Sequence, residues 1–180
     1  MLTGNLLVTK IELVLNHKIL LFISWIIRII TVIIPDSRFG NRLRGNFYRL
    51  FVSGTCQRLE ISSNVRLINL ENIYFGNDVY LAPGVIINAI DDVFFEDEVM
   101  LGFNVVVVSG DHSKIGNSFR FGKSKTGIII FKHGCWVGAN SVILKGAVIS
   151  SGTVIGANSV VKSVTEPDSV YISSRIAKLK

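Results

Sequence analysis

The sequence is short of cysteine and proline. Its two cysteines, Cys56 and Cys135, provide no CxxC pair, no disulfide framework and no zinc-ligand spacing, which indicates a reducing compartment and two buried thiols. Three prolines among 180 residues argue against a low-complexity chain. The length suits one domain, and a hydrophobic fraction of 49% with a mean hydropathy of +0.48 requires extensive burial.

Acidic residues are scarce at the N-terminus. Residues 1–60 carry eight Lys or Arg against three Asp or Glu, a net charge of +5, whereas the other 120 residues carry eleven against ten. A net charge of +1 over the main domain argues against a nucleic-acid groove there. The basic N-terminus favours a local anionic contact such as lipid headgroups.

No apolar run is long enough to favour a membrane span. Residues 19–34 are apolar except for Arg28, but a span needs about 20 such residues. No small-residue cleavage site follows, which speaks against a secretory signal peptide. The next stretch, RFGNRLRGNFYRLF, suits a helix at a headgroup boundary. Two interpretations stay open: peripheral membrane contact through residues 18–50, or packing on a partner subunit.

What the sequence does have is a repeat of six. From Phe131 it reads FKHGCW, VGANSV, ILKGAV, ISSGTV and IGANSV. The first position is large and apolar, the fourth is Gly or Asn, and the fifth is small. Gly and Asn tolerate the left-handed backbone region, so the chain is predicted to turn once per hexad. Side chains alternate between the turns, which places positions one and five inside and positions two and six outside.

The template recurs upstream with interruptions, as ISSNVR, FGNDVY, LAPGVI, FEDEVM, LGFNVV and VVSGDH. Across all eleven hexads the first position is apolar, and the fourth is Gly or Asn in nine. From about Leu59 the chain resembles the hexapeptide-repeat acyltransferases, most specifically in CWVGANSVILKGAVISSGTVIGANSVV. The resemblance implies an all-β solenoid, namely a left-handed parallel β-helix with three hexads per turn.

Three segments are predicted: an apolar and basic helical segment at 1–58, the β-helix at 59–164 with a projecting loop at 113–130, and a C-terminal tail at 165–180. Nine of the eleven outward sixth positions are apolar, which favours subunit association because a solenoid has no second layer to cover them. The resemblance implies a homotrimer.

The repeat breaks in VVSGDH. Gly110 is expected to be the turn residue, but Asp111 would then lie inside the coil, where an unpartnered carboxylate is costly. The chain is therefore predicted to leave the coil here and to return at Phe131.

The resemblance assigns His112 as the general base, because family members carry a histidine at the end of such a hexad, in a motif close to T-G-H. The inserted Asp111 departs from that motif, and Asp111 either orients the imidazole or marks the exit from the coil. Asn88 is a further catalytic candidate, with Asp91 and Asp92 on the same coil.

The acyl-CoA contacts are also carried over by resemblance. Those near the pantetheine chain are assigned to Trp136, Gly138, Ala139, Gly156 and Ala157. Lys162 and Lys178, with Arg175 and Lys180, are assigned to the phosphates, since lysine suits a phosphate by charge. No metal is expected: the sequence has three histidines, and His17 lies outside the repeat.

The resemblance implies an acetyl-CoA-dependent O-acetyltransferase that acts on a sugar hydroxyl of a surface polysaccharide or its precursor, and the basic, apolar N-terminus favours a lipid-linked one. The predicted location is cytoplasmic, at the inner face of the membrane. N-acetylation of a nucleotide-linked amino sugar and a non-catalytic trimeric binding solenoid stay open as alternatives.

Overall fold

The computed structural model describes the backbone of residues 2–54 and 56–173, and the side chains from residue 16 onward. Two helices precede the β structure: α1 (Leu2–Thr31) and α2 (Arg38–Tyr48). Ser37 is the N-cap of helix α2: its hydroxyl accepts the backbone N–H of Gly40 at 3.0 Å and so caps the first turn.

The remainder is a parallel β-solenoid with three sheets along its length. One sheet contains β1 (Glu60–Ile61), β4 (Tyr80–Leu81), β7 (Met100–Leu101), β12 (Trp136–Val137), β15 (Val154–Ile155) and β17 (Val170–Tyr171). We call it the first sheet. The second sheet contains β2 (Arg66–Ile68), β5 (Ile86–Asn88), β8 (Val106–Val108), β13 (Val142–Leu144) and β16 (Val160–Val161). The third contains β3 (Ile73–Phe75), β6 (Val93–Phe95), β11 (Ile129–Phe131) and β14 (Val148–Ile149).

The hexad pattern fixes this coil as predicted. All eleven first positions are buried, and ten of the eleven fifth positions are buried. Ten of the eleven fourth positions have positive φ, including Asp78 and Glu98 at 57° and 63°. Apolar stacks such as Phe95 on Phe131, with ring centroids 4.6 Å apart, fill the interior. The fold predicted from the sequence is confirmed.

Both exceptions to the pattern lie in VVSGDH. Gly110 has no positive φ and belongs to a strand, so its predicted role as a turn residue is wrong. Asp111 is exposed, as expected if the chain leaves the coil. The turn is replaced by a hairpin, in which β9 (Gly110–His112) pairs antiparallel with β10 (Ser124–Thr126). The chain rejoins the coil at Ile129, two residues before the predicted return.

The hairpin emerges at the corner between the second and third sheets. In the first two coils this corner takes four residues, 69–72 with a short 3-10 helix and 89–92. The first-sheet strands of those coils therefore recur every 20 residues, as in Ile61, Leu81 and Leu101. In the third coil the same corner takes residues 109–128. The hairpin is thus an insertion at this corner, and the strands of the third coil keep their places in the sheets.

The N-terminal helices pack on the solenoid of their own chain. The sequence had predicted either membrane contact or packing on a partner subunit for this segment, and neither prediction included this packing. Ser24 of α1 donates to the Leu67 carbonyl oxygen at 2.6 Å, and Ile27 is buried. Helix α2 lies against β1, and the buried Arg44 connects it to Asp36 at 3.0 Å and to the Ile61 carbonyl at 3.3 Å. The opposite face of α1 stays exposed.

The described part of the predicted tail is not separate from the β-helix. Strand β17 pairs with β15 and extends the first sheet, with Tyr171 in register with Ile155. The solenoid thus continues past the predicted boundary at residue 164, because an apolar side chain recurs where the next coil needs one.

Candidate active site

His112 lies at the point where β9 leaves the coil. It is exposed and pairs with Ser124 across the hairpin. Among the residues that the structure describes, no side chain hydrogen-bonds to its imidazole ring. The ring is therefore free to contact a substrate from solvent, as a general base requires.

The Asp111 carboxylate has partners other than that ring among the described residues. Its Oδ1 accepts the backbone N–H of His112 at 2.7 Å, and its Oδ2 lies 3.6 Å from Nζ of Lys145. Adjacent residues on a strand point to opposite sides, which directs the Asp111 carboxylate away from the imidazole.

Lys145 is a contact that the sequence analysis missed. Its ammonium, on a side chain 27% exposed, contacts Asp111 on β9 and donates to the Lys125 carbonyl oxygen on β10 at 3.4 Å. Asp111 and Lys125 face each other in the hairpin register. One lysine on the fourth coil therefore holds both strands of the hairpin. Lys145 is the only lysine at a third hexad position, which is the signal that could have identified it.

A cleft of about 330 Å³ opens beside this ion pair. It is lined by Gly110, Asp111, Leu144, Lys145 and Lys162. The cleft brings the predicted catalytic segment together with one predicted phosphate ligand, Lys162. Its volume is within the range of small-ligand sites.

Asn88 and its neighbours support the corner below the cleft. The Asn88 carbonyl oxygen accepts the backbone N–H of Ser109 at 3.2 Å. The buried Ser109 hydroxyl donates to the Asp91 carbonyl oxygen and accepts the Asp91 backbone N–H, both at 2.8 Å. These contacts fix the position from which β9 departs. No hydrogen bond or ion pair joins the Asn88 or Asp91 side chain to His112 among the described residues.

The predicted pantetheine contacts lie at a different corner, between the first and second sheets. Gly138 and Gly156 stack there, and a Cβ at Gly138 would lie 2.7 Å from both the Ala157 nitrogen and the Ile155 carbonyl oxygen. Ala139 is half-buried and Ala157 exposed, so backbone at this corner is accessible. Trp136, 48% exposed, stands on the first sheet in register with Met100.

Within one chain the candidate residues therefore form two groups. His112, Asp111 and Lys162 follow the second sheet, whereas Ala139 and Ala157 precede it, and a three-residue strand of about 10 Å separates them. Lys178, Arg175 and Lys180 lie outside the described residues.

The charge of the solenoid is divided along its axis, which the average over 120 residues concealed. Residues 59–111 hold nine acidic residues against Arg66 alone, a net charge of −8. Residues 112–165 hold seven Lys or Arg and no Asp or Glu, a net charge of +7. Lys145 and Lys162 of the cleft and residues 113–128 of the hairpin belong to the basic part, which attracts anions.

The described residues do not support a metal site or a cysteine nucleophile. In the described part of the chain, no cluster of three or more His, Cys, Asp or Glu side chains could hold a metal ion. Both cysteines are buried, as predicted, and burial raises the pKa of the Cys135 thiol to about 12, so it is not a reactive nucleophile. None of the described helical residues forms a stretch long and apolar enough to cross a membrane.

The chain has the fold of solved hexapeptide-repeat acetyltransferases. It matches one from Vibrio cholerae with a TM-score of 0.76 and 18% identity, covering 90% of this chain and 91% of that one. That protein has also been solved in complex with acetyl coenzyme A. No family model matches the sequence.

Two curated relatives are similar in sequence. A galactoside O-acetyltransferase of Lactococcus lactis is 28% identical over 91 residues, which cover 51% of this chain and 44% of that protein. A putative lipopolysaccharide biosynthesis O-acetyltransferase of Escherichia coli is 24% identical over 143 residues, covering 74% and 69%. The resemblance predicted from the repeat is confirmed. The chain spans less than half the length of the first of these relatives.

Proposed function

We propose that this protein is an acetyl-CoA-dependent O-acetyltransferase that acts on a sugar hydroxyl of a surface polysaccharide or its precursor. The observation that carries the proposal is the exposed His112 on a strand that leaves a hexapeptide-repeat coil beside a cleft. The similar O-acetyltransferases and the acetyl-CoA complex of the Vibrio cholerae protein support it.

His112 takes the proton of the acceptor hydroxyl as that oxygen attacks the thioester carbonyl carbon. A new C–O bond forms, and the tetrahedral intermediate then expels coenzyme A by breaking the C–S bond. The imidazolium returns its proton to the departing thiolate, so the base is regenerated. Histidine suits this exchange because its ordinary pKa lies near neutral pH.

Acetyl-CoA binds along the stacked small residues. Backbone N–H and C=O groups around Ala139 and Ala157 are the partners for the pantetheine amides, because the neighbouring glycines leave room for close approach. Lys162 supplies positive charge for the phosphates.

A homotrimer completes this site. One chain holds the predicted pantetheine contacts and His112 on opposite edges of the second sheet. In a cyclic trimer, the edge with the pantetheine contacts in one subunit meets the edge with His112 in the next. The half-exposed outward side chains, including Trp136 and Met100, are the apolar surface that this contact covers. Light scattering coupled to size exclusion tests it: a monomer in solution would contradict the proposal.

The exposed face of α1 contacts the inner surface of the cytoplasmic membrane. Its apolar side chains follow helical spacing, as in Phe22, Trp25 and Ile29, which are 60%, 47% and 48% exposed, and Ile33 in the turn after the helix is 86% exposed. The exposed Arg38 and Arg49 in and next to α2 suit anionic headgroups. Flotation with vesicles containing anionic lipid should recover the wild type, and Trp25→Ser with Ile33→Ser should lose that recovery.

This placement favours a lipid-linked acceptor. Helix α1 packs against β2 and the 3-10 helix at the corner of the first coil, and the hairpin leaves the same edge two coils higher, about 10 Å away at strand spacing. A sugar attached to a membrane lipid would therefore lie near His112.

An assay of acetyl transfer tests the function. Wild-type protein, acetyl-CoA and hydroxyl or amino sugars should release free thiol, and nuclear magnetic resonance of the product should place the acetyl group on oxygen. Acetylation of an amino group alone would instead establish N-acetylation of an amino sugar. Absence of acetyl-CoA binding by calorimetry would leave a non-catalytic solenoid.

A further inference from the structure

The hairpin carries exposed apolar side chains at its tip. Ile115, Phe119 and Phe121 are 57%, 59% and 78% exposed. They do not belong to the solenoid core or to the outward sixth positions that the trimer would cover. Neither the general base nor the acetyl-CoA contacts explain them.

The tip follows His112 directly along the hairpin, in which His112 pairs with Ser124. A turn closes it, since Ile115 and Ser118 exchange backbone hydrogen bonds at 2.8 and 3.0 Å around Gly116, whose φ is 56°. A Cβ at Gly122 would overlap the Ser113 carbonyl oxygen, so the backbone after Phe121 lies directly against the residue that follows His112. The aromatic surface is therefore adjacent to the site.

The hairpin is also basic. Lys114, Arg120, Lys123 and Lys125 lie between residues 113 and 130, and this segment contains no acidic residue. The Arg120 guanidinium is 5.8 Å from the centroid of the Phe121 ring, which places a cation beside an aromatic face. Aromatic faces pack on the apolar C–H faces of sugar rings, and cations pair with phosphate or carboxylate groups.

We propose that this hairpin is the acceptor-binding surface and that the acceptor is an anionic saccharide, one bearing phosphate or carboxylate groups. The inference rests on the proposed function and narrows its substrate class. Phe119 and Phe121 contact sugar rings, while Arg120 and Lys123 pair with the charged groups. Lys145 and Lys162 continue the positive surface from the hairpin into the cleft.

Affinity electrophoresis of the full-length protein in gels containing polysaccharide tests the proposal without turnover. The probes are alginate, which carries carboxylates, a yeast phosphomannan, which carries phosphates, and neutral dextran. We expect retardation by alginate or phosphomannan and not by dextran, and the stronger of the two identifies the anionic group. Phe119→Ser with Phe121→Ser should weaken that binding about tenfold.

Arg120→Gln with Lys123→Gln should also weaken binding and should flatten its salt dependence, because two fewer charges are neutralised. Phe39→Ser is the matched control, since Phe39 is 77% exposed but lies on α2. Its binding should equal that of the wild type.

Three results would overturn the proposal. The aromatic variant binds as well as the wild type, or it loses its oligomeric state, which would make the tip a subunit contact, or it loses vesicle flotation, which would make the tip a lipid contact. If saccharide binding follows the prediction but no acetyl transfer occurs, then the proposed function fails and the binding surface stands.

Discussion

The early and late coils of this solenoid are built from one repeat but carry opposite charge. Residues 59–111 have a net charge of −8 and residues 112–165 a net charge of +7. The repeat constrains positions one, four and five, which fill the interior or form the turns, and leaves the outward positions free. The fold therefore tolerates either sign of charge at the outward positions. The difference in net charge between the two parts reflects what each part contacts.

Acidic residues of the early coils pair with basic residues of the N-terminal segment. Glu60 accepts from Arg42 at 2.9 Å, and Asp78 contacts Arg58 at 2.5 Å, which lowers the pKa of the Asp78 carboxyl. In the late coils only two lysines form ion pairs with acidic residues, Lys132 with Glu96 and Lys145 with Asp111. Among the described residues, the other five bases have no carboxylate within 4 Å. The early part attaches the helices, and the late part is available to anions.

The largest expected effect is on the late part. His112→Ala removes the proposed base and should lower kcat for acetyl transfer about 10²–10⁴-fold, the usual contribution of a general base. The melting temperature should not change, because the side chain is exposed. His133→Ala is the matched control, as that histidine is exposed on another corner. Activity retained by the His112 variant would refute the mechanism.

The next effect concerns the early part. Arg44 is 2% exposed and contacts Asp36, Asn41 and the Ile61 carbonyl. Arg44→Met leaves the buried acceptors without their donor and should reduce the free energy of unfolding by about 1–3 kcal/mol. Denaturant titration measures it. Arg49→Met, on an exposed arginine, should cost less than about 0.5 kcal/mol. Equal losses for the two variants would show that Arg44 does not connect the helices to the coil.

A smaller effect tests Lys145 as a positioning residue. Lys145→Met removes the ammonium that holds both hairpin strands and should lower kcat about tenfold, since a hydrogen bond from a charged group is worth about 1.5–3 kcal/mol. The KM for acetyl-CoA should not change, and Lys145→Arg should restore most of the rate. Backbone hydrogen exchange at Asp111 and Lys125 should accelerate in the Met variant only. Lys132→Met, which breaks an ion pair on another corner, should leave kcat unaltered.

The smallest expected effect concerns an ion pair that joins the acidic early part to the basic late part of the solenoid. The hydrogen bond from Lys132 lowers the pKa of the Glu96 carboxyl below 4.5, so this pair stabilises the fold above the unfolded pKa and loses that contribution as pH falls through the folded value. Glu96→Gln should cost less than about 1 kcal/mol at pH 7, because the pair is partly exposed. The difference from wild type should vanish at low pH. A difference that persists there would assign the loss to packing.

Most of the fold was readable from the sequence because the repeat is local. Each turn needs a residue that tolerates positive φ, and each interior position needs an apolar or small side chain, so six residues suffice to identify the pattern. The exit of the chain at Asp111 was readable for the same reason, since a carboxylate does not fit the interior. The role of Gly110 was predicted wrongly because a glycine at the fourth hexad position can also adopt the extended backbone of a strand.

The site was only partly readable. The repeat placed His112 at the end of the hexad that Asp111 breaks. The resemblance supplied the role of His112, which stays a prediction with those of Asp111 and Asn88. Lys145 was missed because its partners lie 34 and 20 positions away on the hairpin, a separation that no local pattern encodes. The charge division was missed because an average over 120 residues cancels two opposite values.

The sequence by itself determined the coil, since turn and interior requirements repeat every six residues. Tertiary structure alone decided three further features: the helices cover the first coil, the hairpin pairs His112 with Ser124, and the predicted pantetheine contacts and the histidine lie on opposite edges of one sheet. These depend on contacts between residues distant in sequence, whose packing and hydrogen bonds exist only once the coils are stacked.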